Sequence, residues 1–162
     1  MTNSRETTTD ELLDGRDLKG QRILITGASA GLGQETARAL AAHGANVVLT
    51  VRALDKGERA AAPVRESAAP GATVELRQMD LASLASVRAC ADALLAEGKP
   101  LSVLIANAGV MACPQGQTAD GFETQFGTNH LGHFVFVSKL IPLLVAGAPS
   151  RIVMLSSSGH RF

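Results

Sequence analysis

The sequence predicts an α/β chain built on a parallel sheet with helices on both faces, and three observations carry that reading. Five short runs rich in Val, Ile and Leu recur along the 162 residues. Longer stretches with helical spacing separate them, and a glycine-rich turn, Thr26 to Gly33, joins the first run to the first helical stretch. Strands and helices that alternate in this way form a parallel sheet whose crossovers are right-handed and whose strands are covered on both faces.

The strands are expected at Gln21–Thr26, Asn46–Val51, Thr73–Gln78, Leu101–Ala106 and Ser150–Leu155, each buried on both faces. In the first helical stretch Leu32, Thr36, Ala37 and Leu40 share one face and Gly44 marks the stop. Behind Ser83 as N-cap, Leu84, Val87, Ala91 and Leu94 repeat the pattern. Pro63 interrupts the stretch Ala53–Ala69. The longest helix is expected over Phe122–Val145, with Phe122, Phe126, Val137 and Ile141 facing inward and Pro142 as a kink or an ending. Met1–Lys19 reads as a tail with one short helix at Thr9–Asp14, and residues 20–162 as one domain. The architecture is Rossmann-like: a doubly wound parallel sheet of about five strands in the order 3-2-1-4-5. Its ligand crevice lies outside the carboxyl ends of the strands, where the order reverses between the first and fourth.

Composition narrows the function. With 46% hydrophobic residues the chain can bury one sizeable core. Fifteen basic side chains balance fifteen acidic ones without clustering, which speaks against a nucleic-acid or anionic-membrane surface and for a small-molecule partner. Met1 to Leu18 is polar and lacks the apolar core of a secretory signal, and no later run reads as long enough to span a bilayer. Cys90 and Cys113 form no disulfide framework, and a reducing, cytoplasmic compartment is expected. His130 and His133 have no nearby carboxylate or thiolate, so no metal site is expected and both should pack or hydrogen-bond at the helix surface. The chain contains no tyrosine, which removes any mechanism that needs a tyrosine acid from its own repertoire.

The turn Thr26-Gly27-Ala28-Ser29-Ala30-Gly31-Leu32-Gly33 reads as a dinucleotide-binding turn. Gly27, Gly31 and Gly33 permit tight geometry, so that backbone N–H groups and a helix N-terminus approach a pyrophosphate without Cβ obstruction. Ser29, Ala30 and Leu32 contribute mainly backbone groups, with Leu32 also packing. After the fourth run, Asn107 is expected to buttress the central strand, while Ala108 and Gly109 leave room for a ribose. Arg52 ends the second run. A carboxylate there would bind ribose hydroxyls, whereas a guanidinium can bind a 2′-phosphate through charge-assisted bonds, which favours NADP(H) over NAD(H). Arg52 also argues against a methyltransferase, which would want an acidic residue at that place.

By these ordered motifs, from about Gly20 onward, the chain resembles the short-chain dehydrogenase/reductase family. The segments Asn107-Ala-Gly-Val-Met, Thr118-Ala-Asp-Gly-Phe-Glu and Asn129-His-Leu-Gly-His-Phe134 are similar to its retinol-dehydrogenase-like branch. The resemblance implies hydride transfer between nicotinamide and an alcohol or carbonyl substrate. It further implies that Asp80 and Leu81 contact adenine, that Ser157 donates to the reacting oxygen, and that Asn129 holds a proton-relay water. His160 follows the serine cluster and could face substrate. The family's Tyr-x-x-x-Lys is not found, and Lys139 has no tyrosine four residues before it. The resemblance therefore implies the N-terminal, coenzyme-binding part of a longer oxidoreductase, with negligible turnover alone and a fifth strand left as an open edge. In the full-length form the long helix offers a homo-oligomer surface. The alternative is a non-catalytic dinucleotide-binding or regulatory module.

Overall fold

β1 (Arg22–Thr26) occupies the middle of a five-stranded parallel sheet and is buried along its whole length. In the computed structural model, which describes residues 6–157, the strand order is β3-β2-β1-β4-β5, as the motif pattern predicts. β2 (Asn46–Val51) and β4 (Val103–Ala106) flank β1, placing Leu24 opposite Val48 on one side and Leu104 on the other. β3 (Val74–Gln78) and β5 (Arg151–Met154) form the edges. Alternation along β1 divides the core into two layers. Leu24 meets Val87, Leu94, Phe136 and Leu140 on one face, and Ile23 and Ile25 meet Ala37, Ala41, Ala61 and Val64 on the other.

Burial falls away toward the edges, contrary to the uniform burial expected. β3 is only partly covered, and β5 is exposed at every position, with Ile152 to Leu155 about half exposed. Among the described residues no strand pairs with the outer edge of β5, so the open edge implied by the family resemblance is present in this chain.

The helices begin and end where local chemistry allows. α1 (Thr9–Leu13) carries a capping box between Thr8 and Glu11. It is docked on α2 rather than loose, because Arg38 binds Asp10 and Thr9 donates to Glu35 at 2.6 Å. α2 (Gly31–Ala42) buries Ala37 and Ala41, but Leu32 is 76% exposed; it stands in the first turn at the crevice rim and does not pack inward as expected. α3 (Leu54–Ser67) continues through Pro63. Pro63 and Arg59 are both exposed, so the carbonyl left without an N–H partner faces water. α4 (Leu84–Glu97) is capped by the Ser83 hydroxyl, which accepts from Ser86 N–H, and stops at Gly98 with φ +64°.

The last helix departs most from expectation. It opens with a π-helical segment, Phe126–Gly132, and continues as α5 (His133–Ala146) through Pro142. Phe122 precedes the helix and is exposed, as are Phe126 and Ile141, while Phe136, Leu140, Leu143 and Leu144 face the core. A 3.6-residue period cannot be carried through i→i+5 turns, so the inward phase read across this segment is offset. The helix Phe126–Ala146 is 21 residues long and contains a window of 18 residues with a mean hydropathy of 1.3, enough by length and composition alone to cross a bilayer, which corrects the sequence expectation. One face of it is nonetheless set into the core.

Gly132 presses this helix onto the segment after β3, where an added Cβ would lie 2.6 Å from the Leu81 carbonyl oxygen. Gly132→Ala is expected to lower stability by about 1–3 kcal/mol through overpacking, read as a lower midpoint in urea at unchanged m-value.

Candidate functional site

At the carboxyl ends of β1 and β4, where the strand order reverses, the segments that follow the two strands diverge around a cavity of about 440 Å³. The first wall is the turn after β1. Gly27 adopts φ +70°, and a Cβ there would fall 2.7 Å from Ala108, so both the turn and its neighbour require glycine. Gly33 meets the same limit from the other side, since its Cβ would lie 2.5 Å from Asn107 Nδ2 and 2.6 Å from the Gly27 carbonyl oxygen. Gly31 starts α2 at φ +58° with open space where a Cβ would go, and it is not in the cavity wall, unlike Gly27, Gly33, Ser29, Ala30 and Leu32.

The N-terminus of α2 is left open electrostatically. Thr8 and Ser83 cap α1 and α4 with their hydroxyls, but Ala30 supplies no side-chain cap to α2 and the first turn holds no acidic residue. The first-turn N–H groups and the positive end of the helix dipole are thus unspent at the mouth of the cavity.

The opposite wall is Asn107-Ala108-Gly109, which follows β4. Asn107 Nδ2 donates to the Thr26 carbonyl at 2.9 Å, bridging from β4 to β1 as the sequence predicts. The backbone N–H groups of Asn107 and Ala108 both donate to Thr26 Oγ1 at 3.0 Å. Arg52 leaves β2 at the cavity edge, where its guanidinium forms no ion pair or hydrogen bond with the described residues, although its carbonyl accepts from Gln78. Asp80 and Leu81 close the floor after β3. The Asp80 carboxylate accepts from Ala82 N–H at 2.9 Å, and Leu81 is buried against the core.

Besides Gly31, two expected site residues stand outside the cavity wall. Asn129, in the π-helical segment, accepts from Val110 N–H and donates to the Val110 carbonyl, each at 2.8 Å, clamping the loop after β4. Ser157 is exposed, three residues beyond β5. His160 lies outside the described residues.

The site contains groups that sequence reasoning passes over. Thr26 reads in the sequence only as the first residue of the turn, yet its hydroxyl receives both turn amides. His133, expected at the helix surface, is 2% exposed, with Nε2 at 2.8 Å from Thr26 Oγ1 and Nδ1 at 2.9 Å from the Asn129 carbonyl. Burial lowers its pKa, and the bond to Asn129 opposes that only in part. A threonine closing a central strand beside a glycine turn is the one local signal that could draw attention here. His130 instead lies at the surface, stacked between Phe126 and Phe134 at centroid distances of 5.2 and 6.4 Å. Among the described residues no three His, Cys, Asp or Glu side chains converge as a metal site. Cys90 is buried, which pushes its thiol up to about 11, and Cys113 is half-buried.

Fold and site together define a dinucleotide-binding α/β protein of the Rossmann type. The chain belongs to the short-chain dehydrogenase family, whose sequence model matches residues 21–161. Among relatives, "Retinol dehydrogenase 11" of Mus musculus is 50% identical over 143 residues, covering 88% of this chain and 45% of that protein. "WW domain-containing oxidoreductase" of Homo sapiens is 44% identical over 156 residues, covering 96% of this chain and 37% of that protein. The chain thus spans less than half the length of these curated relatives. A crystal structure of a protein from Mycobacterium Paratuberculosis superposes with a TM-score of 0.74 at 45% identity, over 89% of this chain and 48% of that one. The "Pseudomonas aeruginosa RhlG/NADP active-site complex" does so with a TM-score of 0.71 at 30% identity, over 84% and 54%. Membership implies a nicotinamide coenzyme, NAD(P). The residues present fit such a group, because the glycine-lined wall and the uncapped α2 N-terminus would both be filled or neutralised by ordinary side chains.

Gly33→Ala is expected to push Asn107 off the Thr26 carbonyl. Thermal unfolding should shift down by several degrees, and coenzyme titration should show at least tenfold weaker binding.

Proposed function

We propose that this chain is the coenzyme-binding part of an NADP(H)-dependent oxidoreductase that transfers hydride between nicotinamide and an alcohol or carbonyl substrate. The observation that carries the reading is a cavity with an uncapped helix N-terminus on one wall and the unpaired Arg52 guanidinium at its edge. The first turn of α2 with Ser29 and Ala30 would hold the pyrophosphate through backbone N–H groups. Arg52 would hold the 2′-phosphate, Asp80 and Leu81 the adenine end, and Ala108 and Gly109 the ribose beside the nicotinamide. The coenzyme supplies the hydride chemistry when bound. The similarity to RhlG, whose solved structure is described as an RhlG/NADP active-site complex, supports the phosphate-bearing coenzyme.

Asn129 fixes the loop beginning at Val110 and so shapes the substrate side, and Ser157 would donate a hydrogen bond to the reacting oxygen. With no tyrosine among its 162 residues, the chain has no phenol to move the substrate proton. Binding without turnover is the expected behaviour, and the same absence favours a second reading, a non-catalytic coenzyme-binding or regulatory module. An in-frame Tyr-x-x-x-Lys downstream in the coding DNA would decide for the first reading, and a stop for the second.

Fluorescence titration with NADPH and NADH tests the coenzyme. Arg52→Asp should weaken NADPH at least tenfold more than NADH, about the strength of one charge-assisted hydrogen bond; equal losses would overturn the assignment. With saturating NADP(H) and a panel of alcohols and carbonyls, turnover should stay at background. A rate matching a full-length relative would refute the inactivity of the chain alone.

A further inference from the structure

The Thr26 hydroxyl has three hydrogen-bond neighbours and is fully buried: Asn107 N and Ala108 N at 3.0 Å, and His133 Nε2 at 2.8 Å. Backbone N–H groups can only donate, and a hydroxyl has one proton and two lone pairs. The two turn amides occupy the lone pairs. The hydroxyl proton must then go to Nε2, which has to present a lone pair, and the imidazole proton must sit on Nδ1. There it faces the Asn129 carbonyl oxygen, which can only accept, at 2.9 Å. The His133 backbone N–H itself bonds to the His130 carbonyl. Each polar atom of the chain of contacts is satisfied in one arrangement only.

We propose that His133 is a positioning residue of the coenzyme site: as the neutral Nδ1–H tautomer it takes the Thr26 hydroxyl proton and thereby fixes the oxygen that locks the Asn107–Ala108 turn. The proposal rests on the reading of the cavity as a coenzyme site. His133 does not line the cavity; it bears on wall residues through Thr26, which holds the Asn107 and Ala108 amides, and through Asn129, which holds Val110, so its effect on binding is indirect.

Protonation would dismantle the lock. A second ring proton on Nε2 would point at an oxygen whose lone pairs are already filled, and one turn amide would have to let go. Burial keeps the ring neutral under ordinary conditions. The surrounding elements bring no charge that acts on it. β4 has no ionisable side chain, and the π-helical segment has only the exposed His130. On α4, Asp92 pairs with Lys139 of α5, Glu97 is tied to Arg22 and Arg77, Arg88 is exposed and Cys90 is buried. Asp80 is held by the Ala82 amide. Because the folded-state pKa is lowered, the unfolded chain binds the proton first. The contribution to stability is complete above about pH 6.5 and is lost as pH falls from there toward the folded-state value.

Three measurements on the whole chain test this. Long-range proton–nitrogen NMR at pH 7.5 should show Nδ1 protonated and Nε2 bare, and on acidification the Asn107 and Ala108 amide signals should move with the midpoint of His133. His133→Phe should speed hydrogen exchange of those two amides at least tenfold while Val48 and Leu49 stay protected, and should weaken NADPH about tenfold. His133→Gln, whose carbonyl can accept the Thr26 proton, should restore most of both. Should His133→Phe fail to fold, Thr26→Val against Thr26→Ser gives the same contrast in exchange and binding. A protonated Nε2, or unchanged exchange at Asn107 and Ala108 in His133→Phe, overturns the proposal. NADPH binding by the wild type that His133→Phe leaves unaltered overturns positioning but keeps the coenzyme reading. No NADPH binding by the wild type, with tautomer and exchange as expected, sinks the coenzyme reading and leaves the lock intact.

Discussion

How closely the ends of β1 and β4 can approach one another sets the rest of the crevice. Gly27, Gly33 and Ala108 meet at distances that admit no larger side chain, and Asn107 reaches through the gap to the Thr26 carbonyl. From that contact follow the direction in which α2 leaves the sheet, the exposure of its first-turn amides and the height of the Ala108–Gly109 wall. A bulkier residue at any of the three would separate the loops before it touched a ligand. Small residues at this end are therefore a packing requirement first and a binding feature second.

The opposite end of the sheet is held by different forces. Arg22 sends its guanidinium to Glu75 and Glu97, Arg77 binds the same two carboxylates, and Lys99 lies beside them. These charges join β1, β3 and α4 where no ligand is expected, and Arg22 is buried deeply enough that losing a partner would leave an uncompensated charge. At the crevice end the ties are neutral hydrogen bonds. The Arg22–Glu75–Glu97 network thus lies at the end opposite the crevice, and among the residues that line the cavity the one carboxylate near the α2 N-terminus and Arg52 is that of Asp80, whose Oδ1 accepts from the Ala82 amide.

Most of the sheet is legible in the sequence because its signal is local: short Val, Ile and Leu runs between glycine stops need little context. The glycine wall of the cavity is legible for the same reason, since Gly27, Gly33 and Asn107 are demanded by backbone geometry rather than by distant partners. What escapes depends on partners far along the chain or on a change of helical period. The docking of α1 rests on Arg38 and Glu35, which are 28 and 26 residues away from their partners Asp10 and Thr9. Pro63 and Pro142 read as breaks, yet the helices run through both. The inward face of α5 and the burial of His133 elude the sequence because no residue type announces an i→i+5 turn. Leu32 reads as core because periodicity cannot tell the first turn of a helix, which overhangs the crevice, from the turns that follow it.

The wide turn at Phe126–Gly132 has a bearing on how this segment can change over evolutionary time. Such a turn is one residue longer than the α-helix it replaces, and removing that residue would rotate everything before it by about 100° relative to α5. Asn129 would then leave Val110. The segment should accept exchanges of residue kind at exposed sites such as Phe126 and His130 far more readily than any change in residue number. Length, rather than identity, is what related chains would be expected to share here.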